Sequence, residues 1–155
     1  MRKNSGFSLM ELMIIIAIMA VIATLAIPSM IGWRSRSQLQ GAVGNLTSDL
    51  QIAKLMAIKE SAFVVVDFPN ANSYRVFVDN DGNWSLDAGE RLLQNRQLPT
   101  GVWINLGATD LSDDRTRFND RGLPDPANLG TVFIVNSAGD QRSINLNRLG
   151  RLLVQ

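Results

Sequence analysis

From Phe7 to Trp33 the chain carries one ionisable group, Glu11, in a run dominated by Leu, Ile, Met, Ala and Val that is long enough to cross a bilayer as a helix. Nothing else in the sequence restricts the fold as much, because so long an apolar surface has to be covered by lipid or by other apolar helices. Before it stands a short basic leader, Met1-Arg2-Lys3-Asn4-Ser5-Gly6. A secretory signal begins this way, yet the small residues that mark signal-peptidase cleavage do not cleanly follow a short apolar region. A carboxylate such as Glu11 costs about 2.5–3.5 kcal/mol at the bilayer centre and less near its edge. It is either an acid that snorkels to the interface or a charge kept for a specific partner.

Gly6, then Phe7-Ser8-Leu9-Met10-Glu11, then the apolar run, resembles the leader and processing motif of type IV prepilins and type II secretion pseudopilins. The resemblance implies that a prepilin peptidase cuts between Gly6 and Phe7 on the cytoplasmic side, and that the new terminus, Phe7, is N-methylated. Glu11 then falls on the family's glutamate at the fifth mature position. The resemblance further implies a single-pass protein of the bacterial inner membrane with its C-terminal domain in the periplasm, later drawn into a filament. Its partners would be other pilins or pseudopilins, the peptidase and methyltransferase, and an inner-membrane assembly platform.

These identities have physical reasons. Glycine at the cut lets a protease approach extended backbone closely. Removing the leader removes Arg2 and Lys3 and leaves an apolar helix that starts with an α-amine, a cation below its pKa. In a bundle of such helices Glu11 of one subunit is placed to pair with the Phe7 amine of a neighbour, each offsetting the other's desolvation.

A chain of 155 residues suits one domain behind an N-terminal helix. Loss of Arg2 and Lys3 tips the balance of 15 basic to 14 acidic residues slightly to the acidic side, so overall charge recruits no nucleic acid. The absence of cysteine excludes disulfides, thiol catalysis and thiolate metal sites. It also departs from the C-terminal disulfide loop common in major pilins, which points to a minor pilin or pseudopilin.

Arg2 and Lys3 on one flank of the span are matched by Arg34 and Arg36 on the other, so charge alone does not orient it. Pro28 removes a backbone donor and is expected to kink or locally open the helix, with Gly32 a second weak point. From Ser35 to Glu60 the pattern turns amphipathic. Leu39, Val43, Leu46, Leu50, Ala53 and Ala57 share one face, expected to lie on a sheet, while Gln38, Asn45, Asp49, Lys54 and Lys59 are assigned to the polar surface.

The stretch Leu46 to Ile58, running into Ala62-Phe63-Val64-Val65-Val66, is similar to the helix-to-strand junction of the GspH/FimT pseudopilin family. Beyond it the pattern is β-rich. Phe63 to Phe68 and Tyr74 to Val78 read as a hairpin about Pro69-Asn70-Ala71-Asn72, and further strands are expected at 91–97, 102–106, 115–118, 131–135, 141–146 and 151–154. The predicted organisation is a leader (1–6), a transmembrane or filament-core helix (7–33), an amphipathic helix (34–60) and a β-rich globular domain (61–155). The fold class is α+β, a long helix on antiparallel sheet.

Between the second and third of these strands, Asp79, Asp81, Asn83, Ser85, Asp87 and Glu90 place oxygen-bearing side chains at positions 1, 3, 5, 7, 9 and 12 of a loop, the EF-hand ligand spacing for calcium. Trp84 stands where that loop carries glycine, and strands rather than helices flank it, which is the pattern of a solvated acidic hairpin loop. The polar segment from Gly107 to Asn128 reads as a solvated connection or a partner-contact loop. Arg142, Arg148 and Arg151, with Gly150, partly resemble the basic C-terminal segment of DNA-binding members of this family in DNA-uptake pili. No aromatic residues are interleaved with them.

With no histidine, no cysteine, no Gly-rich phosphate loop and no nucleophile elbow, the sequence offers no constellation for catalysis. The reading it supports is a minor pilin or pseudopilin of a type II secretion pseudopilus or type IV pilus, with no catalytic role. The competing readings are a DNA-binding minor pilin and a plain membrane-anchored periplasmic binding domain.

Overall fold

The computed structural model describes residues 7–155. One helix, α1 (Leu9–Glu60), precedes eight strands: β1 (Phe63–Asn70), β2 (Ser73–Asp79), β3 (Leu92–Gln97), β4 (Val102–Ile104), β5 (Arg115–Phe118), β6 (Gly130–Asn136), β7 (Gln141–Leu146) and β8 (Leu152–Val154). The chain divides into two compact units at Arg34/Ser35.

In the first unit α1 buries almost nothing. Leu9, Met10, Met13, Val21 and Met30 are all more than 60% exposed. Among the described residues no single helix is long and apolar enough to cross a membrane; Leu9–Thr24 and Ser29–Glu60 taken together meet the requirement by length and composition only.

In the second unit the apolar face of α1 is core. Leu39, Val43, Leu46, Leu50, Ala53 and Ala57 are buried, and Ala42 joins them. They cover strands rich in β-branched residues, each of which contributes about 1.5–3 kcal/mol on full burial. One sheet has the order β3-β2-β1-β5 and the other β4-β6-β7-β8, and every pairing is antiparallel. Antiparallel sheet is what the strand pattern predicts; its division in two is a feature of the fold. The division comes at the connection from β3 to β4, where Pro99 and Gly101 (φ +83°) turn the chain out of the first sheet. Val64, Val66 and Val76 from one sheet and Ile104, Ile134 and Ile144 from the other then close on α1 as a single core.

Three local expectations change. Asn70 and Ser73 pair, so the first hairpin turns on Ala71-Asn72 and Pro69 belongs to β1. Pro69 is tolerated because the β1–β5 ladder stops at Asp67 and the β1–β2 ladder shifts register between Asp67 and Asn70, so no partner needs its missing N–H. β4 ends at Ile104, whose N–H bonds to Ala71 O at 2.7 Å and links the two sheets. The segment 107–128 is more than a solvated connection: Leu111, Phe118 and Asn128 are buried, and Asn128 donates to the carbonyls of Ser112 and Arg115.

Candidate functional site

Gly6 lies outside the described residues. Phe7 is 77% exposed, and Glu11 is exposed in the first turn of α1. The backbone N–H groups of a first turn lack helical acceptors and favour a nearby carboxylate by about 0.3–1 kcal/mol at the surface. Glu11 therefore sits where a negative charge helps the helix start, and it stays accessible to a cation from another molecule.

The β2–β3 loop brings together three of its six oxygen-bearing residues. Carboxylate oxygens of Asp79, Asp81 and Glu90 lie within 4.8 Å of one another. This is a hard-oxygen donor set of the type calcium takes. The carboxylates are also engaged within the loop. Asp79, fully buried, accepts from Gly82 N at 2.7 Å and Trp84 N at 3.1 Å. Glu90 accepts from Asn80 N at 2.8 Å and Asp87 N at 3.1 Å. Asn83 donates its amide to Asp81 and Asp87, and its own oxygen accepts from Ser85 N. Trp84 takes φ +69°, so the backbone makes the left-handed turn that glycine makes in a calcium loop, although the residue is tryptophan.

Arg117, in the strand expected at 115–118, packs against Trp84 there. Its guanidinium lies between the rings of Phe63 and Trp84, 4.2 Å and 4.0 Å from their centres. It also donates to Gly82 O at 3.2 Å and to Asp125 at 3.2 Å, and stands 3.9 Å from Asp79. One cation thus ties the acidic loop to β1 and β5.

The structure separates the three C-terminal arginines. Arg148 and Arg151 share the turn after β7, where Asn147 Oδ1 accepts from Leu149 N and Arg151 N at 3.0 Å and 2.9 Å. Arg142 sits at the other end of β7, beside the Arg36–Asp140 pair. Lys54 of α1 joins the first group, its Nζ donating to Gly150 O at 3.2 Å.

Asp49 corrects the assignment of the helix surface. It is fully buried rather than polar surface, accepting from Tyr74 Oη at 2.7 Å and Arg96 Nε at 2.6 Å. Burial, and then the hydrogen bond to Asp49, push the Tyr74 phenol above its ordinary value. The signal was present in the spacing, since Asp49 stands three residues after Leu46 and four before Ala53 and so falls on the apolar face.

The model of the family described as type II transport protein GspH matches residues 42–150. That of the prokaryotic N-terminal methylation motif matches residues 1–27. The chain is similar to the pilin-like protein PilA1 of Thermus thermophilus, 28% identical over 152 residues that cover 94% of this chain and 95% of that protein. It is also similar to the type IV major pilin protein PilA of Myxococcus xanthus, 29% identical over 88% of this chain and 61% of that protein. The fold is shared with the type IV minor pilin FimU of Pseudomonas aeruginosa, at TM-score 0.63 and 17% identity, covering 79% of this chain and 92% of that one. It is shared too with the minor pseudopilin EpsH of the Vibrio cholerae type 2 secretion system, at TM-score 0.58 and 12% identity, covering 76% and 96%.

Proposed function

We propose a route of assembly for this chain, which belongs to the type II transport protein GspH family and is a minor pilin or pseudopilin of a type IV pilus or type II secretion system. The family is a structural one, and its members work by entering filaments. A prepilin peptidase removes residues 1–6 at Gly6/Phe7, Phe7 is methylated, and the inner-membrane platform lifts the processed helix from the bilayer into the filament. The Ser35–Gln155 unit faces the periplasm throughout.

The observation that carries this reading is the bare apolar surface of Phe7 to Trp33. Phe7, Leu9, Met13 and Val21 are each at least 63% exposed, while the second unit buries its own core without them. Apolar residues on every side of a helix need lipid first and helices of other subunits afterwards. In that helical environment Glu11 pairs with the Phe7 amine of a neighbouring subunit, which offsets the cost of taking both charges out of water.

Mass spectrometry of the chain co-expressed with a prepilin peptidase tests the first step, with loss of residues 1–6 and one added methyl expected. Glu11→Ala tests the second. It is expected to be processed like the wild type but to enter filaments poorly, and normal entry would overturn the pairing.

A further inference from the structure

Arg36, Arg75, Arg91, Arg96, Arg115 and Arg117 each stand in an ion pair with a carboxylate of the same chain. Among the described residues, Arg34, Arg121, Arg142, Arg148 and Arg151 do not, and the guanidinium groups of Arg121, Arg148 and Arg151 make no hydrogen bond. Two turns bring all three to one end of the domain. Asn119 Oδ1 accepts from Arg121 N and Leu123 N, both at 3.0 Å, and Asn147 holds the turn of Arg148 and Arg151 in the same way.

The two turns touch through glycine. A Cβ on Gly150 (φ +68°) would lie 2.9 Å from Gly122 O and 3.1 Å from Lys54 Nζ. A fourth cation, Lys54, therefore sits at the seam, spending one donor on Gly150 O. Beside it opens a cavity of about 340 Å³ lined in part by Lys54, Phe118, Leu149 and Arg151. Leu149, which lines this cavity, is 74% exposed. Asp120, the single carboxylate in the two turns, lines a separate cavity with Glu60 and Asn80.

Six arginines of the domain are neutralised in place and Arg142 stands alone at the far end of β7, whereas here several cations share one end without acids paired to them. Such clustering raises the energy of the isolated fold and is offset when an anionic surface arrives. The chemistry of the patch favours a protein over a nucleic acid. Phe118 is 1% exposed, so the patch has no aromatic face on which bases stack. An exposed leucine that shares a cavity with Lys54 and Arg151 instead suits a segment that is apolar at its centre and acidic at its flanks.

We propose that this end of the domain, through Lys54, Arg121, Arg148 and Arg151 around Leu149, docks an acidic protein segment carried by another subunit of the filament. The inference rests on the filament-subunit reading above and adds the chemistry of one contact.

The test uses the full chain in nonionic detergent, with fluorescence anisotropy of three labelled probes: a short peptide of leucines flanked by glutamates, the same peptide flanked by lysines, and a single-stranded oligodeoxynucleotide. The glutamate peptide is expected to bind and to weaken as salt is raised. Arg148→Ala with Arg151→Ala, and separately Leu149→Asp, are expected to weaken it by about tenfold or more, whereas Arg142→Ala at the far end of β7 leaves it unchanged. Thermal melting of each variant reads folding separately. Binding that is equal in the double variant, or tighter for the oligodeoxynucleotide than for the glutamate peptide at the same salt, overturns the proposal. Filament entry of the wild-type chain is measured in parallel. A chain that enters filaments but ignores the peptide overturns the docking contact alone.

Discussion

The hydroxyl of Tyr74 donates a 2.7 Å hydrogen bond to Asp49, a carboxylate with no exposed surface. Arg96 Nε donates to the same oxygen at 2.6 Å, so a single acid on α1 fastens both β2 and β3 to the helix. Asp49→Ala strands a buried phenol and an unpaired guanidinium. It is expected to destabilise the domain by about 2–3 kcal/mol, Arg96 being partly exposed and so less costly to leave alone. Asp49→Asn, which still offers Tyr74 an acceptor, is expected to lose less; urea unfolding of the two variants checks the order.

Tyr74 also sets an alkaline limit. Its phenol is held neutral in the fold, above the ordinary value of 10.0, while the unfolded chain ionises near that value. The stabilisation is therefore complete below about pH 10 and falls as pH rises beyond it, by at most about 1.4 kcal/mol per pH unit. Tyr74 is the only tyrosine in the sequence, so phenolate absorbance reports it alone and should appear together with unfolding. In Tyr74→Phe this part of the pH dependence should vanish.

Arg117→Lys keeps the charge but removes the flat group between Phe63 and Trp84. A lysine cannot stack on two rings while donating to Gly82 O and Asp125. The expected result is a loosened β2–β3 loop, seen as faster proteolysis between Asn80 and Glu90 and a red shift of tryptophan emission. The drop in global stability should be about 1–2 kcal/mol.

Gly150→Ala places a methyl group 2.9 Å from Gly122 O at a left-handed backbone position. Strain and collision act together, for an expected loss of about 1–3 kcal/mol. Gly139, also left-handed (φ +84°) but with nothing near its Cβ, is the control; Gly139→Ala should cost only the conformational part. Thermal denaturation of the two variants separates collision from strain.

Much of this was legible in the sequence because it rests on short-range patterns. The apolar run, the buried stripe from Leu39 to Ala57 and most strand limits follow from periodicity and turn residues. Asp49 escaped because its acidity suggested solvent while its spacing put it on the core face. The decisive partner, Arg96, lies on a strand that only tertiary structure brings near. Arg117 escaped for the same reason: its role depends on Phe63, Trp84 and Asp125 meeting across three parts of the chain. The left-handed turn at Trp84 was hidden because glycine is the residue that normally announces one. Lys54 and Arg121, far from Arg148 and Arg151 in sequence, became their neighbours only through the contact of Gly122 with Gly150.

The order in which the strands are used has a consequence for how the domain forms. β1, β2 and β3 build the first sheet, β4 begins the second, β5 returns to complete the first against β1, and β6 to β8 finish the second. Neither sheet closes before the other has been started, and α1 supplies core to both. No point of division between β1 and β8 yields two self-sufficient halves. Folding of this unit is accordingly a single cooperative event, slowed by the long-range pairing of β1 with β5, and the two sheets should melt at one temperature rather than in sequence.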